Sequence, residues 1–216
     1  SIRINDGSGN FSGSTNIGID DRVTSVEPAD IDNDGDMDLL ATGFGSLRVF
    51  PLINNGSGSF TLGTPVYAGD GPMVAVADFD GDGDVDFATA NGSTNTVAVR
   101  FNNGSGSFTG SDSIAVSLNP VAIFTGDFDG DGDIDIATGN NFGSSISILL
   151  NGGSGNFGAA TDVTVPDIGP SYISGGDFDG DGDVDIVIVR GAGGDAIVYL
   201  NAAGGGGGNT APVVAL

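Results

Sequence analysis

Residues 127–135 read DFDGDGDID, and three close relatives of this nonapeptide occur elsewhere in the chain of 216 residues. The other copies are DIDNDGDMD at 30–38, DFDGDGDVD at 78–86 and DFDGDGDVD at 177–185. Successive copies begin 48, 49 and 50 positions apart. A fixed period of this size is typical of propellers, solenoids and other repeat arrays. The sequence therefore predicts one supersecondary unit per period.

A second repeated element keeps the same period and combines a glycine-rich turn with a closing phenylalanine. Its copies are NDGSGNF at 5–11, NNGSGSF at 54–60 and 102–108, and NGGSGNF at 151–157. Between the two elements, β-branched and aromatic residues form short runs bounded by Gly, Asn, Asp and Pro, which is typical of strands. In the third unit the predicted strands are 120–126, 135–139, 145–151 and 157–165.

Four strands in a period of about 49 residues fit a propeller blade better than a solenoid rung. We therefore predict an all-β fold, a β-propeller of about four four-stranded blades within residues 1–201. The predicted units are a partial blade at 1–21, whole blades at 22–70, 71–119 and 120–169, and a partial blade at 170–201. We expect the N-terminal strand to close the ring by completing the last blade, or a neighbouring chain to complete it.

The ends of the chain hold one strand more than four blades require. Residues 2–4 and 196–200 both fill the third place of the same blade, and residues 202–216 form a Gly-rich linker and a short apolar strand. This surplus predicts strand exchange, in which a terminal strand of one molecule pairs with an open sheet edge of the next. The alternative is pairing along the chain's own surface.

The nonapeptide has the form D-x-D-x-D-G-x-x-D, and this spacing has a chemical reason. Side chains at positions 1, 3 and 5 of a tight loop converge, Gly at position 6 permits the turn, and position 7 offers its carbonyl oxygen. In the third copy the predicted ligands are the side chains of Asp127, Asp129, Asp131 and Asp135 and the main-chain oxygen of Asp133. A flexible, all-oxygen donor set favours Ca²⁺ over Mg²⁺ and over transition metals.

Two other interpretations fit these loops less well. An EF-hand needs a bidentate Glu at position 12, where this chain has Ala41, Thr89, Thr138 or Ile188 and strand-like flanks. A solvated acidic turn would leave the clustered carboxylates repelling one another without a neutralising cation. The four-fold recurrence favours a calcium loop.

The aspartate loops and the NNGSGSF turns together resemble the FG-GAP or VCBS-type repeats of integrin α-subunit-like β-propellers, over essentially residues 1–201. The resemblance implies that each loop joins the first two strands of a blade and binds Ca²⁺, giving four sites. The implied side-chain ligands are Asp30, Asp32, Asp34, Asp38, Asp78, Asp80, Asp82, Asp86, Asp127, Asp129, Asp131, Asp135, Asp177, Asp179, Asp181 and Asp185. The implied main-chain ligands are Asp36, Asp84, Asp133 and Asp183. Family propellers commonly have seven blades, so this chain is a small ring, a fragment or part of an assembly.

Calcium would also account for the charge of the chain. The formal net charge is −24, and the four loops hold 20 of the 29 acidic residues. At a calcium concentration 100 times the dissociation constant, each site would stabilise the fold by about 2.7 kcal/mol. The chain has no cysteine, so calcium would take the place of disulfides. Free calcium in the cytosol is too low to reach 100 times the dissociation constant of such sites, whereas extracellular calcium is high enough. We therefore expect an extracellular protein.

Composition excludes several classes of function. Five arginines and no lysine cannot build the cationic face that nucleic acid or an anionic membrane requires. No apolar stretch approaches the length of a membrane span, so membrane insertion is not expected. The absence of His, Cys and Lys removes most nucleophilic and acid–base chemistry. We expect no enzyme activity.

Two functions remain. The first is a structural subunit of an extracellular or cell-surface assembly whose partners are copies of itself, up to a filament. The second is an adhesion module that binds a glycan or a protein as part of a larger surface protein. Absence of Trp and the presence of only 3 Tyr favour the first, because recognition faces are rich in aromatic residues.

Overall fold

The computed structural model describes residues 2–19, 21–43, 45–71, 73–110, 113–166, 169–191 and 194–202, together with the strand backbone of 213–215. These residues form 20 β-strands and no helix. The strands before the first full sheet are β1 (Ile2–Asn5) and β2 (Phe11–Thr15). The first sheet holds β3 (Val23–Ala29), β4 (Asp38–Gly43), β5 (Arg48–Asn54), β6 (Phe60–Leu62) and β7 (Val66–Tyr67).

The later strands repeat this pattern. The second sheet holds β8 (Val74–Ala77), β9 (Asp86–Asn91), β10 (Thr96–Asn102), β11 (Phe108–Thr109) and β12 (Ser113–Ala115). The third holds β13 (Pro120–Gly126), β14 (Asp135–Asn140), β15 (Ser145–Leu149) and β16 (Thr161–Thr164). The fourth holds β17 (Pro170–Gly176), β18 (Asp185–Arg190), β19 (Ala196–Tyr199) and β20 (Val213–Ala215).

Each sheet is an antiparallel meander of neighbouring strands, so the chain forms the four predicted propeller blades. In the first two blades the fourth strand is divided into two short pieces that both pair with the third strand. The all-β prediction and the blade number are confirmed. A cavity of about 190 Å³ is lined by the first strand of every blade, through Glu27, Val76, Thr125 and Ser174, which places these strands around a common axis.

Apolar clusters between successive blades form the core. Leu40 of the first blade packs in one cluster with Phe87 of the second, and both are fully buried. The next two clusters join the second blade to the third and the third to the fourth. Alternation along each strand sends one set of apolar side chains to the preceding blade and the other to the following blade.

The N-terminal strands do not complete the last blade. Strands β1 and β2 pair with each other as a separate two-stranded sheet, and β20 pairs with β19 as the fourth strand of the last blade. The predicted closure by the N-terminal strand is therefore wrong. Little chain separates β20 from β19, so their pairing costs less loop-closure entropy than pairing the two ends of the chain.

Candidate metal centres

The four aspartate loops occupy the same place in every blade, between its first and second strands. In the third loop, one carboxylate oxygen from each of Asp127, Asp129 and Asp135 lies within 4.8 Å of the other two. The other three loops contain the same grouping. The corresponding triads are Asp30, Asp32 and Asp38; Asp78, Asp80 and Asp86; and Asp177, Asp179 and Asp185. The structure thus brings together positions 1, 3 and 9 of every loop, and each triad could hold a metal ion.

Position 9 is the fixed point of each loop. Asp135 is fully buried, its Oδ2 accepts a 2.8 Å hydrogen bond from the Phe128 N–H, and its Oδ1 accepts one of 2.8 Å from the Asn151 N–H. The equivalent bonds are made by Asp38, Asp86 and Asp185. Two backbone donors orient each carboxylate and give both of its oxygens a hydrogen-bond partner, as a buried polar group requires.

Position 1 shapes the turn. The carboxylate of Asp127 accepts hydrogen bonds from the N–H groups of Gly130 at 2.8 Å and Gly132 at 3.0 Å. Gly132, at position 6, has a φ of +95°, which agrees with the sharp turn expected at this glycine. Position 4 also adopts positive φ, +77° at Gly130 and +60° at Asn33, which the sequence interpretation did not identify. Gly and Asn are the residues that tolerate this conformation, so the composition of position 4 held the signal.

Positions 5 and 7 lie outside the triads. Asp131 Oδ1 accepts a 2.9 Å hydrogen bond from the Asp133 N–H, and the other loops repeat this bond. The Asp133 side chain turns toward the glycine-rich turn of its own blade, where a methyl group on Gly153 would lie 3.1 Å from its Oδ2. The side chain at position 7 is therefore directed away from the triad, which leaves its carbonyl as the group it can offer.

The donor set fits a cation. Asp30 Oδ1, Asp32 Oδ1 and Asp181 Oδ2 are buried without a hydrogen-bond partner, which is costly for carboxylate oxygens unless a cation lies against them. Desolvation raises the pKa of Asp32 and of Asp80, and repulsion from neighbouring carboxylates adds to the rise. Burial raises the pKa of Asp86 to about 6. Each loop thus concentrates negative charge that a bound cation would neutralise.

An asparagine missed by the sequence interpretation adjoins each centre. The first residue of the repeated glycine-rich turn is Asn54, Asn102 or Asn151, and Asn201 holds the same place in the fourth blade. Its N–H donates to position 9 and its side-chain amide donates to a carbonyl of the loop, as Asn54 does to Met37 O at 3.0 Å. Every copy of the turn begins with Asn, although the geometry of the turn alone does not require Asn there. This recurrence was the feature of the sequence that could have identified the residue.

Comparison with known families identifies the class of the protein. The FG-GAP-like repeat profile matches residues 1–41, 37–89, 78–138 and 127–188. These matches cover most of the chain, and the chain belongs to the FG-GAP-like repeat family. No curated protein matches the chain.

Solved structures share the fold at low sequence identity. The BBS1N chain of a complex with ARL6DN is 13% identical with a TM-score of 0.57, over 88% of this chain and 53% of that one. The V. cholerae biofilm matrix protein Bap1 is 18% identical with a TM-score of 0.53, over 86% of this chain and 30% of that one. A Tc holotoxin pore chain of Photorhabdus luminescens is 21% identical with a TM-score of 0.52, over 95% of this chain and 10% of that one. The chain thus spans about half or less of the length of these structures.

Within the described ranges, no helix has the length and apolar character needed to cross a membrane.

Proposed function

We propose that this chain is a calcium-stabilised propeller module of an extracellular protein, acting as a structural subunit that associates with copies of itself. The observation that carries the proposal is the recurrence of one aspartate triad in all four blades, each anchored by a fully buried Asp. The alternative is an adhesion module that binds a glycan or a protein. No catalytic step is part of the proposal, since the chain lacks His, Cys and Lys.

Calcium is supported by the chemistry of the donors. Every ligand atom of the triads is a carboxylate oxygen, and the loops contain no histidine or cysteine. Such a set suits a hard cation, and an irregular loop tolerates the variable coordination of Ca²⁺ better than the strict octahedron of Mg²⁺. The buried unpartnered oxygens of Asp30 and Asp32 would be ligands.

An extracellular location is supported by two considerations. Loops of this kind fill at the millimolar calcium concentrations found outside cells. Two structures of similar fold are those of a biofilm matrix protein and of a holotoxin pore, and these descriptions favour an extracellular module. A chain without disulfides gains from the calcium available there.

Association is supported by one face of the sheet in the fourth blade. This forward face corresponds to the face that each earlier blade packs against the blade that follows it. At the second residue after position 9, Leu40, Ala88 and Ala137 are fully buried by the following blade. The fourth blade has Val187 at this position, and it is only partly buried. Two residues further on, Val189 is 40% exposed. A terminal repeat that ends in water normally carries polar residues there.

The first blade has an exposed apolar position on its opposite sheet face. This back face corresponds to the face that each later blade packs against the blade before it. Val74, Ile123 and Ile173 occupy one register position in the later blades and are 2–5% exposed. Val26, at the same position in the first blade, is 45% exposed. Ile17 and Ile19 cover part of this face from the N-terminal segment. The two end faces are therefore two halves of the contact that joins successive blades, and copies would join end to end through them.

Sedimentation and electron microscopy of the chain in calcium test this proposal. We expect oligomers or fibres for the chain itself and a monomer for Val189→Asp, because a buried carboxylate would oppose the end-face contact. Phe142→Asp is the matched control, since Phe142 is 76% exposed but lies in the turn after β14 of the third blade. A monomeric chain that binds a glycan array would support the adhesion module and contradict the structural subunit.

A further inference from the structure

The metal loop of one blade is held by the blade that follows it. The side-chain amide of Asn102, at the end of β10, donates a 2.8 Å hydrogen bond to the carbonyl of Ile31 in the first blade. The same amide donates a 3.1 Å bond to the carbonyl of Val85 in its own blade. Ile31 stands at position 2 of the first loop, between the triad members Asp30 and Asp32.

The bridge recurs at both later blade contacts. Asn151 donates to the carbonyl of Phe79 at 2.8 Å, and Asn201 donates to that of Phe128 at 2.7 Å. A backbone donor from the following blade reinforces the first two bridges. The Gly106 N–H lies 2.7 Å from the Ile31 oxygen, and the Gly155 N–H lies 2.9 Å from the Phe79 oxygen.

Position 2 is therefore fixed on both sides. In the second loop the Phe79 N–H donates to the buried Asp86 of its own blade, while its carbonyl accepts from Asn151 of the next. Asp78 and Asp80 flank this residue, so the bridge limits the movement of two carboxylates of the triad. A loop whose ligands are already in place loses less conformational entropy when it binds a cation.

The fourth loop lacks this support in the part of the chain that the structure describes. The side chains at position 2 of the first three loops, Ile31, Phe79 and Phe128, are 0%, 1% and 7% exposed. Phe178, at the same position in the fourth loop, is 53% exposed. Its N–H still donates to Asp185 at 2.8 Å, but no described residue donates to its carbonyl.

We propose that Asn102, Asn151 and Asn201 are positioning residues that make the first three metal centres tight, and that the centre of Asp177, Asp179 and Asp185 is the weak one. This inference rests on the proposed metal binding. Coupling is reciprocal, so a cation in one of the first three loops also strengthens the contact to the following blade.

Calcium titration calorimetry of the whole chain tests the order of the sites. We expect three tight sites and one that binds about tenfold more weakly, the ratio expected from one lost hydrogen bond to a desolvated carbonyl. Asp179→Asn should remove the weak phase and leave the tight one, whereas Asp80→Asn should reduce the tight phase. Four equal sites, or loss of a tight site in Asp179→Asn, would overturn the inference.

Asparagine variants test the bridge itself. Asn151→Ala keeps the backbone N–H that serves Asp135 but removes the bond to Phe79, and we expect its second loop to bind about tenfold more weakly. Asn54→Ala is the matched control, because the side-chain amide of Asn54 donates to Met37 of its own blade. Asn102→Ala provides the same test on the first loop should Asn151→Ala fail to fold. Equal effects of Asn54→Ala and Asn151→Ala on the second loop would overturn the bridge.

Hydrogen exchange in EDTA gives a readout that needs no cation. Asn151→Ala should accelerate exchange of the Gly155 amide, which shares the Phe79 carbonyl, and Asn54→Ala should not. Unchanged exchange at Gly155 would contradict the bridge. Absence of any calcium heat would contradict the proposed function, while the exchange experiment would still decide whether the bridge orders the loop.

Discussion

The side-chain amide of Asn102 lies 2.8 Å from the main-chain oxygen of Ile31, a residue 71 positions earlier in the chain. This bond joins the end of one blade's third strand to the aspartate loop of the preceding blade. The loops are thus part of the contacts between blades as well as candidate metal centres. Changes at a loop are consequently expected to affect the stability of two blades.

Chelation of calcium should destabilise the whole propeller. Each site contributes about 2.7 kcal/mol when calcium exceeds the dissociation constant 100-fold, so four sites correspond to a melting-temperature shift on the order of 20–40 °C. Circular dichroism melts with calcium and with EDTA measure this shift. Magnesium in place of calcium is the control and should restore less stability. A melt that is identical in calcium and EDTA would contradict structural calcium.

Gly132→Ala should weaken the third metal centre through backbone strain. An added methyl group would meet no atom within 4 Å, but φ is +95° there, and an L-residue pays about 1–2 kcal/mol for a left-handed conformation. Gly176→Ala is the matched control, since it also has open space and lacks a positive φ. Thermal melts and calcium titrations of both variants separate strain from volume. Equal losses in the two variants would show that φ is not the cause.

Asp21 should make the stability of the first blade sensitive to acid. Hydrogen bonds from Ser46 and Gly45 and from the adjacent Arg22 N–H hold the pKa of its carboxyl at about 2, below the ordinary 3.8. A depressed pKa in the folded state means that the carboxylate stabilises the fold above about pH 4 and that this contribution is lost as the pH falls toward 2.

Asp21→Asn should therefore lower the melting temperature near neutral pH and have progressively less effect as the pH approaches about 2. The measured quantity is the difference between the two chains across the pH range, which cancels the titration of the aspartate loops. A difference that stays constant down to the lowest pH would exclude the Asp21 carboxylate as its source.

Removal of residues 203–216 should expose the edge of β19 (Ala196–Tyr199), because the deletion takes away the β20 strand that pairs with it. An unpaired edge loses hydrogen-exchange protection and recruits strands from other molecules. Exchange measurements and sedimentation should show faster exchange at 196–199 and greater association. Val198→Lys in the shortened chain should suppress the association, since an edge lysine opposes pairing. Reduced association after truncation would instead indicate that the tail joins neighbouring copies.

Much of the fold followed from local patterns. The third-unit strands predicted at 120–126 and 135–139 correspond to β13 (Pro120–Gly126) and β14 (Asp135–Asn140). Each depends on β-branched runs between turn residues, a property of a few neighbouring positions. The fourth strand was predicted at 157–165 and occupies only Thr161–Thr164, because an outer strand has few packing contacts to extend it.

The sequence by itself determined the repeat, the aspartate loops and the turn at position 6, because spacing and φ preference act within a single loop. The tertiary structure decided which strand completes the last blade, which apolar faces stay uncovered, and that Asn102, Asn151 and Asn201 bind carbonyls of the preceding blade. The asparagine bridges join residues 71 to 73 positions apart, about one and a half repeats. Distances between such residues are set by how whole blades pack, and neither composition nor local spacing encodes that packing.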